Sequence, residues 1–340
     1  MSLRFVMVIF IGLLVAAGCA QPVLDDARTG RVGPLAAEVD GQRIMDDVRA
    51  IVALHAAEEP LDCRAHLDLD HIDQDRRPVC DLTRNSVRGF IADRFRQLGL
   101  EVKEDHFDDP RFPTTNIVAD LRGTERPDEI VLVAAHFDAF YAGADDNTSG
   151  VAAVLELARV FAARGAQGRT LRFVGFDLEE LGLVGSTRYV EHTLVGERIV
   201  MSVVFDCIGY ADSARGSQGG PIGFPVPDVG DFIAIIGNDR SGTEAEELRA
   251  LASRLEILPT VAAVAPRDGA FPMTGDLMRS DHGPFWLSGR TALFLTDTAD
   301  FRNPNYHDPT DTVDTLDPVF LANVTRLSAV GLGYWAEVSP

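Results

Sequence analysis

Apolar and polar residues follow alternating helical and strand periods along most of the chain. From Thr83 onward, the apolar positions of one helical face, ended by Gly99, lead into a series of short strand-like runs. The predicted strands are LEVKEDHF, NIVADL, IVLVAAHFD, TLRFVGFD, IVMSVVFD, FIAIIG and TALFLTD. Predicted helices cover about residues 148–164 and 180–192, the segment TEAEELRALASRLE, and the chain after the N-cap Asp317. This alternation predicts an α/β fold, a mixed and mostly parallel central sheet with helices on both faces, in a single domain over residues 40–340.

The N-terminal segment has a different pattern. MSLRFVMVIFIGLLVAAGC places Arg4 before an apolar stretch and small residues before Cys19, which is typical of a secretory signal and too short for a stable membrane span. Ala-Ala-Gly before Cys19 resembles a bacterial lipobox, with residues 1–18 removed and the cysteine acylated; an ordinary signal peptide is the alternative. Residues 19–39 have no sustained apolar period and are predicted to be a tether. The sequence therefore predicts an exported, membrane-anchored lipoprotein that faces the periplasm or the cell exterior.

Composition narrows the classes of function. The formal charge of −21 argues against nucleic acid or an anionic membrane surface as a partner. Lys103 is the only lysine, and its acidic context EVKED suits neither phosphate binding nor Schiff-base chemistry. In the oxidising compartment that an exported protein meets, Cys63 and Cys80 are the expected disulfide partners, which leaves Cys207 unpaired and buried. The acidic residues 66–75 could bind calcium or form a rim loop.

Potential metal ligands follow several of the predicted strands. Because the carboxyl ends of parallel strands meet at one edge of a sheet, these side chains are expected to lie close together. They are His136, Asp138, Asp145, Asp146, Glu179, Glu180, Asp206 and His307, with Tyr306 beside the last of them. Carboxylates and imidazoles at one edge without a compensating lysine favour a bound cation. The mixed N/O ligand set suits zinc, with manganese or cobalt as alternatives, and its size favours two ions bridged by a carboxylate.

The order of these motifs carries a resemblance to a known family. The series HFD, GADDNTSG, DLEELGLVGS, VVFD, RSDHGPFW and NYHDPTDT resembles the di-zinc aminopeptidase family of co-catalytic metallopeptidases, which also contains glutaminyl cyclases and glutamate carboxypeptidases. The resemblance runs from about residue 85 to the C-terminus and implies the zinc exopeptidase architecture. It also implies two Zn²⁺ ions, with Asp145 as the bridge, His136 and Asp206 on one ion, and Glu180 and His307 on the other.

The remaining roles also come from the resemblance. Glu179 would be the general base for a water held between the two ions, and Asp138 would orient the imidazole of His136. Tyr306 would stabilise the tetrahedral intermediate. A cis peptide bond is expected between Asp145 and Asp146.

The expected activity is removal of N-terminal residues from peptides with a free N-terminus, by a monomer anchored to the membrane at Cys19. A glutaminyl cyclase is the nearest alternative; Asp146, taken as the residue after the bridge, and Tyr306 both favour hydrolysis. A carboxypeptidase would need a basic pocket, for which Arg267, Arg279 and Arg302 are candidates. A catalytically inactive binding protein is the third alternative, although every expected ligand is in place.

Overall fold

The structure, a computed structural model, describes residues 22, 24–61, 82–109, 112–221, 225–270 and 274–338. The predictions for the signal peptide, for Cys19, for the Cys63–Cys80 disulfide and for the acidic residues 66–75 lie outside these residues. The strands are β1 Leu82–Thr83, β2 Glu101–Phe107, β3 Thr114–Leu121, β4 Arg126–His136, β5 Ala139–Phe140, β6 Arg169–Phe176, β7 Arg198–Phe205, β8 Ile233–Asn238, β9 Thr260–Ala265 and β10 Ala292–Thr296. The α-helices are α1 Asp26–Val32, α2 Gly41–Ala57, α3 Asn85–Gln97, α4 Gly150–Arg164, α5 Val184–Arg188, α6 Gly242–Arg254, α7 His282–Leu287 and α8 Pro318–Ala336.

One mixed sheet of eight strands forms the centre of the fold. Its order is β2-β3-β6-β4-β7-β10-β8-β9, and β1 and β5 pair separately as a short antiparallel ribbon. The four central strands β6, β4, β7 and β10 are parallel, whereas β2, β3 and β8 join antiparallel to their inner neighbours. The carboxyl ends of the four central strands therefore lie along one edge of the sheet, as the sequence predicted.

The two faces of the sheet are covered unequally. The larger apolar cluster packs side chains of α2, α3, α4, α6 and α8 against one face, and α8 is buried along most of its length. A smaller cluster on the other face includes Tyr189, Phe285 and Trp286 from the segments around α5 and α7. Because buried apolar area is the main stabilising term in folding, the first face contributes most of the core. The predicted class, a mostly parallel sheet with helices on both faces, is confirmed.

The N-terminal segment differs from the predicted tether. Residues 26–38 form α1 and a 3₁₀ turn, and Val32 and Leu35 are buried in the larger cluster. The Asp25 carboxylate caps α1 by accepting a hydrogen bond from the Arg28 N–H (2.7 Å). Glycine and proline at positions 30, 33 and 34 mask the short apolar period, so the sequence pattern did not indicate a packed segment.

Two further elements differ from the prediction. The helix expected from residue 180 begins at Val184, because Gly182 and Leu183 have positive φ values of 98° and 61° that interrupt helical geometry. Strand β9 was missed; it is an edge strand whose side chains are mostly half-buried, and its apolar run VAAVA consists largely of alanine, which has little strand preference.

The structure also bears on the cysteine at position 207 and on membrane-spanning helices. Cys207 is a free thiol, fully buried just beyond β7, as predicted. Among the residues that the structure describes, no helix has the length and hydropathy that crossing a membrane requires.

Candidate metal centre

The sheet edge brings together the ligand-type residues that the sequence placed after the strands. His136 is the last residue of β4, and Asp206 directly follows β7. Glu179 and Glu180 lie in the turn after β6, and His307 lies in the loop that follows β10. Within the described chain, these side chains form three groups whose potential ligand atoms lie within 4.8 Å of one another. The groups are His136–Asp146–Asp206, Asp146–Glu180–His307 and His136–Glu179–Glu180.

Asp146 connects the two imidazoles of the site. Its Oδ1 lies 3.2 Å from His136 Nε2, and its Oδ2 lies 2.9 Å from His307 Nε2. Asp206 Oδ1 is 3.7 Å from the same nitrogen of His136, and Glu180 Oε2 is 3.1 Å from that of His307. One carboxylate therefore faces both halves of the site, as a bridging ligand must.

The structure does not place Asp145 in the bridging position predicted for it, because the neighbouring Asp146 is the aspartate that faces both histidines. The Asp145 carboxylate points away from the two histidines, where Oδ1 accepts a hydrogen bond from the Gly209 N–H (2.8 Å) and Oδ2 accepts one from Asn303 Nδ2 (2.7 Å). The cis peptide bond likewise lies between Asp146 and Asn147, not between the two aspartates. Neighbouring side chains in this turn point in different directions, so contacts from other parts of the fold decide which aspartate faces the site.

Glycine permits the turn that presents Asp146. Gly143 has φ 49°, and a Cβ there would overlap the Ala139 side chain and the Asp146 carbonyl oxygen. Asn147 fixes the other side of the turn, because its Nδ2 donates to the Phe205 carbonyl oxygen (2.8 Å) at the end of β7. Close packing around this turn therefore requires glycine at position 143.

The pKa values of the two aspartates shift in opposite directions. Burial raises the pKa of Asp145. Burial also acts to raise that of Asp146, but interactions with His136 and His307 outweigh it and lower the pKa. Burial lowers the pKa of His307, yet the charge of Glu180 and the contact with Asp146 raise it to about 11. The site therefore strongly favours positive charge between its carboxylates.

Glu179 lies beside both halves of the site. The residue is 8% exposed, and burial raises its pKa well above the ordinary value. His136 acts to lower this pKa, but the negative charges of Asp206, Glu180 and Asp281 act with burial to raise it. Asp138 holds the turn that carries it, since Oδ1 accepts from the Glu179 N–H (3.0 Å) and Oδ2 from the Glu180 N–H (3.2 Å).

Asp138 also contacts His136, and the shorter of the two contacts is made by its main chain. His136 Nδ1 lies 3.0 Å from the Asp138 carbonyl oxygen and 3.5 Å from its Oδ1. The shorter contact makes the main-chain oxygen the partner of the imidazole, so Nδ1 carries the hydrogen and Nε2 faces the site. The Asp138 carboxylate is thereby free to bind the glutamate turn.

Tyr306 stacks on the neighbouring imidazole. Its ring lies 3.9 Å from that of His307, centre to centre, at an interplanar angle of 16°. Arg279 Nη2 lies 3.3 Å from the Tyr306 hydroxyl, and Arg279 Nη1 is paired with Asp300 at 3.0 Å. Burial and nearby carboxylates raise the pKa of Tyr306 well above the ordinary value, so the phenol keeps its proton.

The donor set fits a divalent cation. His136 Nε2 and Glu180 Oε1 are buried atoms without a hydrogen-bond partner, and both belong to the groups described above. Leaving such atoms unsatisfied is costly, whereas neutral imidazoles with carboxylates are the ligands that zinc prefers. His282 contacts the Leu277 carbonyl oxygen through Nε2 at 2.8 Å and belongs to none of the three groups.

A groove leads away from the site. It has a volume of about 850 Å³, is open to solvent, and begins beside Asp206 and Tyr306. Apolar side chains from β8, β9, β10 and their flanking segments form one wall, namely Phe232, Ala234, Ile236, Val261, Leu277 and Phe294. The paired Arg279 and Asp300 also line it.

Comparison with known proteins identifies the family. Residues 116–331 match Peptidase family M28. The chain belongs to this peptidase family. The family M28 assignment confirms the resemblance drawn from the motifs and the prediction of a peptide hydrolase.

Relatives and solved structures agree with the assignment. The chain is 32% identical over 256 residues to the uncharacterized protein YfbL of Escherichia coli K12, covering 71% of this chain and 77% of YfbL. It is 27% identical over 247 residues to the probable lipoprotein aminopeptidase LpqL of Mycobacterium tuberculosis, covering 66% of this chain but only 46% of LpqL.

Among solved structures, LapB from Legionella pneumophila has a TM-score of 0.68 at 19% identity, with 93% of this chain and 77% of LapB covered. Macrostomum lignano glutaminyl cyclase has a TM-score of 0.63 at 16% identity, with 95% and 96% covered. At these identities, the two structures show that the fold is shared.

Proposed function

We propose that this family M28 chain is a zinc exopeptidase that removes N-terminal residues from peptides and uses two metal ions. The observation that carries the proposal is the position of Asp146, whose two oxygens face two different histidines. His136 and Asp206 would complete the ligands of one ion, and Glu180 and His307 those of the other. Bound zinc would polarise the scissile carbonyl and lower the pKa of water.

Glu179 is the proposed general base. It would take a proton from the attacking water and deliver it to the amine that leaves when the peptide bond breaks, so that one water is consumed for each carboxylate and amine formed. Its raised pKa and buried position suit this task, because the group must hold the proton between the two steps. The Asp138 carboxylate would keep Glu179 and Glu180 aimed in different directions through their two backbone N–H groups.

Tyr306 is the proposed donor to the oxyanion of the tetrahedral intermediate. Stacking on His307 holds its ring next to a ligand, and the pKa shift keeps its hydroxyl protonated. A hydrogen bond from a preorganised donor to developing negative charge is typically one of the larger contributions to catalysis.

The arginines favour an aminopeptidase over a carboxypeptidase. Arg302 is buried and donates to Gln218 Oε1 (2.7 Å) and to the Phe232 carbonyl oxygen (2.8 Å), so it is committed to the protein interior. Arg267 is exposed and is not among the described residues that line the groove. Arg279 does line it, but its guanidinium is paired with Asp300. A carboxylate-binding pocket would need a cation that is not already neutralised.

A glutaminyl cyclase is the second candidate, because the fold is shared with such enzymes. Asp146 is itself the central carboxylate, so it no longer distinguishes hydrolysis from cyclisation as the residue after the bridge. Tyr306 still favours hydrolysis. Two complete ligand groups around one carboxylate support hydrolysis with two ions, whereas a cyclase would use one.

The test combines metal analysis with a substrate panel. Purified protein is analysed for zinc content and assayed on aminoacyl anilides, N-blocked analogues and peptides that begin with glutamine. We expect two zinc ions per chain and hydrolysis only of substrates with a free N-terminus. Glu179→Gln should lower kcat about 10²- to 10⁴-fold, and the exposed Glu191→Gln is the matched control. Cyclisation of glutamine peptides without hydrolysis would move the assignment to the cyclases.

We also propose that the chain is exported and anchored by a lipid on Cys19. The N-terminal pattern supports this, and LpqL, a relative, is described as a probable lipoprotein. Because α1 begins at Asp26, the anchor would hold the catalytic domain close to the membrane. Cys19→Ser should release the protein from the membrane fraction and abolish metabolic labelling with a fatty-acid probe. Unchanged membrane retention and labelling would refute the anchor.

A further inference from the structure

The loop that carries His307 is attached at both of its ends to the segment that carries Asp146. At its far end, Asp311 accepts hydrogen bonds from the Asp145 N–H at Oδ1 (3.0 Å) and Oδ2 (3.1 Å), and from the Asp146 N–H at Oδ2 (3.2 Å). At its near end, Asn303 Nδ2 donates to Asp145 Oδ2 (2.7 Å). Asp311 and Asn303 are each 2% exposed, so these contacts are shielded from water.

The two halves of the site depend on such contacts to different extents. His136 belongs to β4, and Asp206 is held beside β10 by its backbone hydrogen bond to the Leu295 carbonyl oxygen (3.2 Å). His307, in contrast, lies in a loop outside the sheet, has φ 55°, and has a side chain that is 36% exposed. A residue in this strained conformation persists only where its surroundings hold it there.

We propose that Asp311 is a positioning residue that, with Asn303, holds His307 against Asp146 and so assembles the Asp146–Glu180–His307 half of the site. The carboxylate serves two functions in this arrangement. It fixes the backbone from which the Asp146 side chain extends, and it fixes the end of the loop on which His307 lies. The proposal rests on the metal-binding function proposed above.

The geometry predicts a selective effect on metal binding. Loss of the Asp311 contacts frees the His307 loop, while His136 and Asp206 remain held by the sheet. Loss of groups that orient metal ligands typically weakens affinity 10- to 100-fold. We therefore expect Asp311→Asn to weaken one of the two zinc-binding steps by this factor. The other step should weaken by a clearly smaller factor, because Asp146 also faces His136 while His136 and Asp206 stay in place.

Two variants and one control make the experiment decisive. Asp311→Ala removes every acceptor, and Asp311→Asn retains one oxygen, so the asparagine variant serves if the alanine variant does not fold. Asp314→Asn removes the same charge from an exposed position three residues further along and should behave as wild type. Metal-free proteins are titrated with zinc against a chromophoric chelator, and amide hydrogen exchange is measured over residues 144–147 and 303–311 without metal.

The possible results separate the two proposals. Selective loss of one zinc step, with faster exchange in both segments, supports the positioning role. An equal loss at both steps would mean that only the charge of Asp311 acts, and unchanged exchange would mean that it holds nothing; either result overturns the inference. If the wild type binds fewer than two ions, the two-metal function fails, and hydrogen exchange alone still decides the role of Asp311.

Discussion

Substitution of Asp145 and of Asp146 by asparagine, in separate variants, is the sharpest test of the site. Asp146→Asn removes a charged ligand from both halves, because Oδ1 and Oδ2 face His136 and His307 respectively. Asp145→Asn removes a charge that contacts neither histidine and that instead accepts from Gly209 and Asn303. The substitutions have the same size and the same change in charge, so each is the control for the other.

The expected magnitudes follow from the contacts. Zinc sites with four protein ligands bind with about 10–16 kcal/mol, or about 3 kcal/mol per ligand. Asparagine keeps one neutral oxygen, so Asp146→Asn should cost about 2–3 kcal/mol at each step, which corresponds to about 30- to 150-fold weaker binding of each ion. Asp145→Asn places an amide N–H against one of the existing donors, the Gly209 N–H or Asn303 Nδ2. It should therefore lower the free energy of unfolding by about 1–3 kcal/mol. Zinc affinity should fall less than about tenfold, because Asp145 contacts neither histidine.

Zinc titration of metal-free protein and urea unfolding measure the two quantities separately. We expect opposite patterns in the two variants: Asp146→Asn should lose mainly zinc affinity, and Asp145→Asn should lose mainly stability. If Asp145→Asn weakened both zinc steps and Asp146→Asn left both intact, the assignment of the bridge to Asp146 would be refuted.

Three further substitutions test other parts of the structure. Tyr306→Phe should lower kcat about 10²- to 10³-fold with little change in KM, because a donor to the oxyanion is lost; steady-state kinetics on an aminoacyl anilide measures it. Leu35→Ala should lower the free energy of unfolding by about 2–5 kcal/mol in urea, since Leu35 is 0% exposed in the core. Glu58 accepts from the Arg84, Asn85 and Ser86 N–H groups at the start of α3. Glu58→Gln should cost about 1 kcal/mol in the free energy of unfolding at pH 7, measured in urea from pH 7 to pH 2.

The sign of the Glu58 effect follows from its pKa. Burial acts to raise this pKa, but hydrogen bonds from Ser86, Asn85 and Arg84 outweigh it and lower the pKa to about 2. A carboxyl whose pKa is lowered by folding stabilises the protein above the unfolded pKa of about 4.3 and loses that contribution as pH falls toward 2. The difference between wild type and Glu58→Gln should therefore shrink over this range. A difference that stayed constant would contradict this role of Glu58. A neutral Leu35→Ala would contradict the packing of Leu35 in the core, and an unimpaired Tyr306→Phe would contradict the proposed oxyanion role of Tyr306.

The proposed ligands that could be predicted most directly belong to the strands or directly follow them. His136 directly follows the apolar run IVLVAA at the end of β4, and Asp206 directly follows VVF at the end of β7. The pattern that predicts the strands therefore also fixes where these side chains emerge. Parallel pairing then brings them together without further information. The central part of the sheet and the positions of His136 and Asp206 could be predicted for this reason.

The pattern could not choose between Asp145 and Asp146. Both are small acidic residues in the same turn, and both are buried, so neither hydropathy nor charge distinguishes them. The choice is made by Gly209, Asn303 and Asp311, which are 64, 158 and 166 residues away from Asp145 in sequence. No periodicity within a segment carries information about contacts at that separation.

The same limitation explains why the role of Asp311 was missed, and it bears on how the site forms. NYHDPTDT presents two acidic residues after His307, and only the fold shows that one of them is buried against the backbone of Asp145 and Asp146. Since that contact joins the last loop before α8 to a turn before α4, it forms only when the chain has closed around the sheet. The half of the site that contains His307 should accordingly be the last to assemble and the first to loosen, whereas the half built on β4 and β7 persists as long as the sheet does.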